Sequence, residues 1–167
     1  TFNLGSLQPY YPTTGAAYYG PRFTYDPVTL SALGLLIEEQ RTNLATYSQD
    51  LSNAVWAKSG SSVSLVAASA PDGGGAYKLV ENSATSDHRV STVATVSIGQ
   101  AYSTAIYAKQ AGRTAIKFYA NMQGGTKSFV VDLVTGAVSG SSMPSAPVVS
   151  NAGGGCWRIA YTETADI

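Results

Sequence analysis

Side chains that could serve as a nucleophile or transfer a proton are few in this chain, and they are scattered. Its single histidine, His88, stands between Asp87 and Arg89, and no serine lies in a Gly-x-Ser-x-Gly turn. Glu38 and Glu39 are adjacent, so in an extended chain their carboxylates diverge and do not form an acid and base pair. The sequence therefore predicts no catalytic residue and no enzyme. Distant carboxylates that converge only in the fold stay open as an alternative.

Aromatic and polar side chains share one face along two predicted strands. Tyr107 and Tyr119 lie on the faces that also carry Lys109, Lys117 and Asn121, opposite the apolar residues of the same strands. An exposed aromatic ring suits the apolar side of a pyranose, and amide or charged groups bond its hydroxyls. We predict Tyr107, Tyr119, Lys117 and Asn121 as a sugar platform. The alternative is that these tyrosines form ordinary cross-strand pairs or lie buried where copies of the chain meet.

Metal-ligating residue types do not cluster in the sequence. Asp50, Asp72 and Asp87 are loop acids, but no D-x-D-x-D-G pattern joins them into a calcium loop. The single cysteine, Cys156, excludes an internal disulfide framework and a multi-cysteine zinc site. Because it precedes Trp157 in an apparent strand, we expect it to be a small buried apolar residue. No metal and no cofactor are predicted.

The composition narrows the possible partners. The 167 residues carry ten basic and ten acidic side chains, so the net charge is zero and no basic stripe favours nucleic acid. No apolar run approaches the ~20 residues of a membrane span. Only 12% of the residues are charged, which is low for a free monomer. We therefore expect other copies of the chain to cover part of its surface.

Residues 1–33 are rich in proline and tyrosine. Prolines at this density exclude a long helix or a central strand. Disordered linkers are poor in aromatic residues, yet this segment contains the tyrosine pairs Tyr10-Tyr11 and Tyr18-Tyr19. We predict that it is an extended docking arm lying against a neighbouring chain. A tail that packs only on its own domain is the open alternative.

Short runs of alternating apolar and polar residues, separated by glycine-rich turns, dominate the rest of the chain. Trp157, Ile159 and Tyr161, for example, point to one side of the last run. The predicted strands lie near residues 22–26, 63–67, 77–81, 88–96, 102–109, 116–122, 128–133, 137–139 and 156–162. Seven or eight strands at this spacing in residues 34–167 predict an all-β domain, a jelly-roll β-sandwich behind the N-terminal arm.

One stretch is specific enough to indicate a family. It reads Gly34-Leu-Leu-Ile-Glu-Glu-Gln-Arg-Thr-Asn-Leu44, then Tyr47-Ser-Gln-Asp50, Ser52-Asn53 and Trp56. The pattern continues with Ala70-Pro-Asp-Gly73, Tyr77-Lys-Leu79, Tyr107-Ala-Lys109, Val131-Asp-Leu133, Thr135-Gly136 and Gly155-Cys-Trp157. In order and spacing these pieces resemble a module recurrent in the fibre and head-spike proteins of tailed bacteriophages.

The resemblance implies a jelly roll similar to a carbohydrate-binding module, without catalytic activity, on a virion appendage that is commonly trimeric. From it we expect a virion structural protein, in a head fibre, a decoration or a tail fibre, that forms a homotrimer. Its expected partners are capsid or tail proteins and a cell-surface glycan. The alternative is a carbohydrate-binding module attached to a polysaccharide-degrading enzyme, although such modules normally hang on a Ser/Thr/Pro- or Gly-rich linker.

The end of the last predicted strand departs from the family pattern. Modules of this kind usually continue past the Gly-x-Trp strand into at least one further strand, whereas the sequence stops at Ile167. An unpaired strand edge is a site for pairing with another chain. We expect either that the domain lacks its last strand or that another chain or the arm supplies it.

Overall fold

The computed structural model describes residues 23–25, 31–35, 42–122 and 125–165. The chain divides into two units, residues 1–42 and 43–167. Every regular element in the described ranges is a β-strand, and every strand pairing in them is antiparallel. The all-β class predicted from the period-two alternation is confirmed. In these same ranges, no helix has the length and apolar character needed to cross a membrane.

The first unit contains one described hairpin. Its strands β1 (Phe23–Tyr25) and β2 (Ala32–Leu35) pair antiparallel. The strand predicted near residues 22–26 is thereby confirmed, and the predicted limit between arm and domain, after Leu33, falls within β2. The arm tyrosines Tyr10, Tyr11, Tyr18 and Tyr19 lie outside the described residues, so their docking role stays a prediction.

Two three-stranded sheets form the larger part of the second unit. Their strands are β7 (Ala101–Lys109), β8 (Ala115–Met122), β9 (Gly125–Asp132), β10 (Val138–Ser139), β11 (Val148–Gly153) and β12 (Cys156–Thr164). The orders are β10-β9-β8 in one sheet and β11-β12-β7 in the other. In the second sheet β7 pairs along its whole length with β12, a strand far away in sequence.

The buried core lies where the apolar faces of these two sheets meet. Phe129, Val131 and Leu133 from β9 and its end form one cluster with Ile159 of β12. The Phe129 ring meets the Tyr161 ring edge-on at 5.4 Å between centroids, a favourable geometry for aromatic pairs. Alternation explains the cluster, because residues two apart on a strand face the same side.

Two short strand pairs form the rest of the second unit. Strand β3 (Ala57–Ser59) pairs with β6 (Arg89–Ser91), and β4 (Ser61–Val66) pairs with β5 (Ala76–Glu81). The predicted run at 88–96 is a strand only over Arg89–Ser91. We call β4 and β5 the apolar hairpin, because apolar side chains project from both of its faces. Leu65 and Leu79 lie on one face and remain 63% and 36% exposed.

Strand β11 was not among the strands predicted from the sequence. It pairs with β12 through a turn at Gly153, Gly154 and Gly155, all three with positive φ. Glycine adopts that conformation without the steric penalty of other residues. Cys156, the first residue of β12, is 5% exposed, so the prediction of a small buried residue is confirmed.

Candidate functional site

Three of the four predicted sugar-platform residues lie together on the outer face of β8. Lys117, Tyr119 and Asn121 are exposed and alternate with Phe118 and Ala120, which face the core side. Across the pairing to β9 their direct neighbours are Val130, Ser128 and Thr126. We name the face formed by these six residues the Tyr119 face. It combines one phenol ring, one amide, one ammonium and the two aliphatic hydroxyls of Thr126 and Ser128 in a single layer.

The Tyr119 ring is half exposed, at 50%, and is already in contact with a cation. The Lys117 ammonium lies 4.8 Å from the ring centroid, within the range of a cation–π interaction. At an exposed site such a contact contributes about 0.5–1 kcal/mol. One side of the ring is therefore shared with Lys117, and a sugar that stacks there must move the ammonium or use it as a hydrogen-bond donor.

The β9 side of the Tyr119 face is fixed by a second set of hydrogen bonds. The Ser128 amide donates to the Ser142 hydroxyl oxygen at 2.9 Å, and the Ser142 amide donates to the Ser128 carbonyl oxygen at 2.8 Å. These bonds join β9 to the segment after β10, on the edge opposite β8. These hydrogen bonds therefore fix the position of Ser128, across from Tyr119, without any ligand.

Tyr107 lies apart from the other three predicted residues. It belongs to β7, in the other three-stranded sheet, directly across from Arg158 of β12. Its side chain is 53% exposed. Because both sheets turn their apolar faces toward the shared core, the faces with Tyr107 and with Tyr119 point away from each other. A single sugar cannot contact both rings.

The groups considered for acid–base or metal chemistry make local contacts. The His88 Nε2 and the Asn82 Oδ1 lie 3.2 Å apart, and an Asp87 oxygen lies 3.7 Å from an Arg89 nitrogen. The Asp72 carboxylate accepts a hydrogen bond from the Gly74 amide. Across the described ranges, no group of three or more His, Cys, Asp or Glu side chains is placed to hold a metal ion.

The segment from Tyr47 to Trp56 forms a hydrogen-bonded corner. The Trp56 indole N–H donates to the Tyr47 carbonyl oxygen at 2.9 Å. The Asp50 carboxylate accepts from the Ser52 amide and hydroxyl and, at 2.8 Å, from the Tyr77 hydroxyl of β5. We name this arrangement the Asp50 corner. Sequence reasoning considered Asp50 only as a loop acid and missed its partner Tyr77, because the two are 27 positions apart.

The Asp50 corner makes stability depend on pH in a predictable direction. Hydrogen bonds from Ser52, and next from Tyr77, lower the pKa of Asp50 below its ordinary value of 3.8. The folded state thus binds this proton less tightly than the unfolded state. The stabilisation is present above the ordinary pKa and is lost as the pH falls through the lowered one.

We expect Asp50→Asn to remove this part of the pH dependence. Urea midpoints measured between roughly pH 5 and pH 2 should fall less steeply for Asp50→Asn than for the wild type. Tyr77→Phe keeps the Ser52 bonds and should give an intermediate slope. Equal slopes for the wild type and Asp50→Asn would contradict the role assigned to the carboxylate.

Comparison with known proteins gave no match to a family model, to a curated protein or to a solved structure.

Proposed function

We propose that the chain is a non-enzymatic structural component of a tailed-phage virion, in a head fibre, a decoration or a tail fibre. In this proposal the two three-stranded sheets are the layers of a jelly-roll β-sandwich, and the domain works as a homotrimer in contact with capsid or tail proteins. The Tyr119 face contacts a host-surface glycan. The observation that carries the proposal is the apolar hairpin, since its exposed side chains favour burial against a partner surface.

The apolar hairpin supports assembly because it is poorly covered on both faces. Val66 and Val80, on the face opposite Leu65 and Leu79, are 42% and 38% exposed. An isolated two-stranded hairpin is only marginally stable in water. Lys78 lies between Val66 and Val80 on that face, so the contiguous apolar surface is the face with Leu65 and Leu79. Such a surface in a protein with few charges is typical of a protein–protein contact. Copies of the chain that meet at this hairpin would bury these side chains together.

The arm would add to the same assembly. In the proposal, residues 1–33 dock on a sister chain or on another virion protein through Tyr10, Tyr11, Tyr18 and Tyr19. Tyrosine buries a large ring while its hydroxyl keeps a polar partner, which favours interfaces. This combination of a docking arm and an apolar hairpin favours a virion protein over a carbohydrate-binding module that hangs on a flexible linker.

The molar mass in solution tests the assembly. Light scattering is expected to give a trimer for the wild type, and a smaller species for a chain without residues 1–22, which keeps β1 and β2. Leu65→Lys combined with Leu79→Lys should also dissociate the trimer, since both charges would be buried in the contact. Ser83→Lys combined with Ser86→Lys, both just after β5 and exposed, adds the same charge and serves as the matched control.

A folded monomeric wild type would contradict the proposed homotrimer. If that monomer bound a glycan, the result would favour the alternative, a carbohydrate-binding module from a polysaccharide-degrading enzyme. A trimer unaffected by both the deletion and the double lysine variant would show that association uses neither the arm nor the apolar hairpin.

The glycan contact is tested on the Tyr119 face. Tyr119→Ala is expected to weaken the binding of a neutral oligosaccharide about ten-fold, since an aromatic contact contributes ~0.5–1.5 kcal/mol beyond its buried area. Tyr107→Ala removes a ring of similar exposure from the opposite sheet and should leave this binding unchanged. A glycan array read with the wild type selects the oligosaccharide, and titration then compares the variants. Equal losses in both variants would contradict a site centred on Tyr119.

A further inference from the structure

The outer face of the β11-β12-β7 sheet contains a depression of about 250 Å³. Its floor is made of small side chains, Ala105 of β7 and Ala160 of β12, which lie directly across from each other. The segment with Ser145 and Ala146 forms one wall. Because alanine leaves the sheet surface low between taller neighbours, a flat ring has room to lie on this floor.

Polar groups surround this floor in an ordered way. On one side the hydroxyls of Ser103 and Thr162 are 2.8 Å apart and hydrogen-bonded. On the other side Arg158 lines the depression and faces Tyr107 across the strand pairing. Cross-strand partners in an antiparallel sheet have Cβ atoms only about 4.5–5.5 Å apart. A ligand on the alanine floor thus meets a guanidinium at one end, with Tyr107 beside that guanidinium on the neighbouring strand, and two hydroxyls at the other end.

The charge at this site is not neutralised. Arg158 is exposed, and among the residues that the structure describes no carboxylate pairs with it. The exposed ion pairs in that part of the chain are Arg89 with Asp87 and Arg113 with Glu81. A planar guanidinium presents parallel N–H groups that match the two oxygens of a carboxylate. The same fork also binds phosphate, so this end of the depression recognises an oxyanion, and a carboxylate is the one whose plane matches the guanidinium.

We infer that the depression between Arg158 and the Ser103–Thr162 hydroxyl pair binds one carboxylate-bearing sugar ring of an acidic glycan. Its volume is just below the roughly 300 Å³ of the smallest drug-sized pockets, so it accommodates a single ring. Arg158, which lies across from Tyr107, takes the carboxylate, and the paired hydroxyls bond hydroxyls of the sugar. This site is separate from the Tyr119 face, lies on the opposite sheet, and does not require the trimer.

An NMR titration with tri-galacturonate at low ionic strength tests the inference. The wild type is expected to bind, and Arg158→Ala is expected to weaken binding at least about ten-fold through loss of a charged hydrogen bond. Arg158→Lys keeps the charge but not the planar fork, so it should give an intermediate loss. Ala105→Leu fills the floor without changing charge and should weaken binding while the amide spectrum stays folded.

Matched controls separate this site from general charge attraction. Lys78→Ala removes one exposed positive charge from β5, outside both three-stranded sheets, and should change the affinity less than two-fold. The methyl ester of tri-galacturonate, which lacks the charge, should not bind. Acetate supplies the carboxylate without the sugar ring and should bind far more weakly than tri-galacturonate.

Three outcomes would overturn the inference. The first is no binding of tri-galacturonate by the wild type. The second is an equal loss in Lys78→Ala and Arg158→Ala, which would indicate attraction by net charge alone. The third is acetate binding as strongly as tri-galacturonate at equal carboxylate concentration, which would show that the sugar ring is not recognised. If the wild type is a monomer and still binds tri-galacturonate through Arg158, the proposed homotrimer is wrong but the Arg158 site is supported.

Discussion

Gly136→Ala is expected to destabilise the protein by about 3 kcal/mol or more. Gly136 has a φ of 76°, and a non-glycine residue in the left-handed region costs roughly 1–2 kcal/mol. A Cβ at this position would also lie 2.5 Å from a ring carbon of Trp157. Overpacking of this kind adds roughly 1–3 kcal/mol. Trp157 cannot easily move away, because its indole N–H donates to the Leu133 carbonyl oxygen at 3.0 Å.

Gly140→Ala is the matched control for this prediction. Gly140 also has a positive φ, at 57°, but a Cβ there would meet no atom within 4 Å. Urea denaturation of the two variants should show only the backbone cost at Gly140, about 1 kcal/mol, and a clearly larger loss at Gly136. Equal losses would mean that the Trp157 ring yields to the new methyl group, and that the packing of this turn is loose.

Phe129→Ala is expected to cost about 3–5 kcal/mol, the range for removing a buried phenylalanine. The Phe129 side chain is fully buried, at 0% exposure, and its ring stacks on Phe118 at 5.1 Å between centroids. It also contacts Tyr161 in the other sheet, so its loss weakens both layers. Since whole domains are stable by only about 5–15 kcal/mol, this variant should be largely unfolded in moderate urea.

Val130→Ala tests the same strand on its opposite face. Val130 is the next residue of β9, is only partly buried, and lies on the Tyr119 face. We expect its urea midpoint to shift by less than half of the shift for Phe129→Ala. Near-UV circular dichroism should report the loss of aromatic packing only in Phe129→Ala. Comparable destabilisation by the two variants would contradict a core that lies on one face of β9.

Alternation along single strands correctly predicted which side chains share a face of a strand. Trp157 and Tyr161 were expected to share a face with Ile159, and all three lie in or against the core cluster. The same reasoning placed Lys117 and Tyr119 on one outer face of β8, as the structure has them. A side-chain period of two is a local property of extended backbone, so it is visible in the sequence.

Pairing between distant strands was not visible in the same way. Tyr107 and Tyr119 were assigned to one sugar platform, but the partner of β7 is β12 and the partner of β8 is β9. Nothing in either strand alone specifies that choice. Strand β11 was missed for a related reason, because Val148 and Val149 are adjacent and show no alternation. Its pairing with β12 depends on the glycine turn and on contacts from the opposite sheet.

The pairing of β7 with β12 also affects how the chain folds during its synthesis. β8 and β9 are neighbours in sequence and can pair as soon as both have emerged. Among the described strands β7 pairs only with β12, so this pairing waits while residues 110–155 are translated, for a few seconds at roughly 5–20 residues per second. In that interval a nine-residue strand has two open edges. On a polysome, where nascent copies are close together, its edges are exposed to the β7 strands of neighbouring chains.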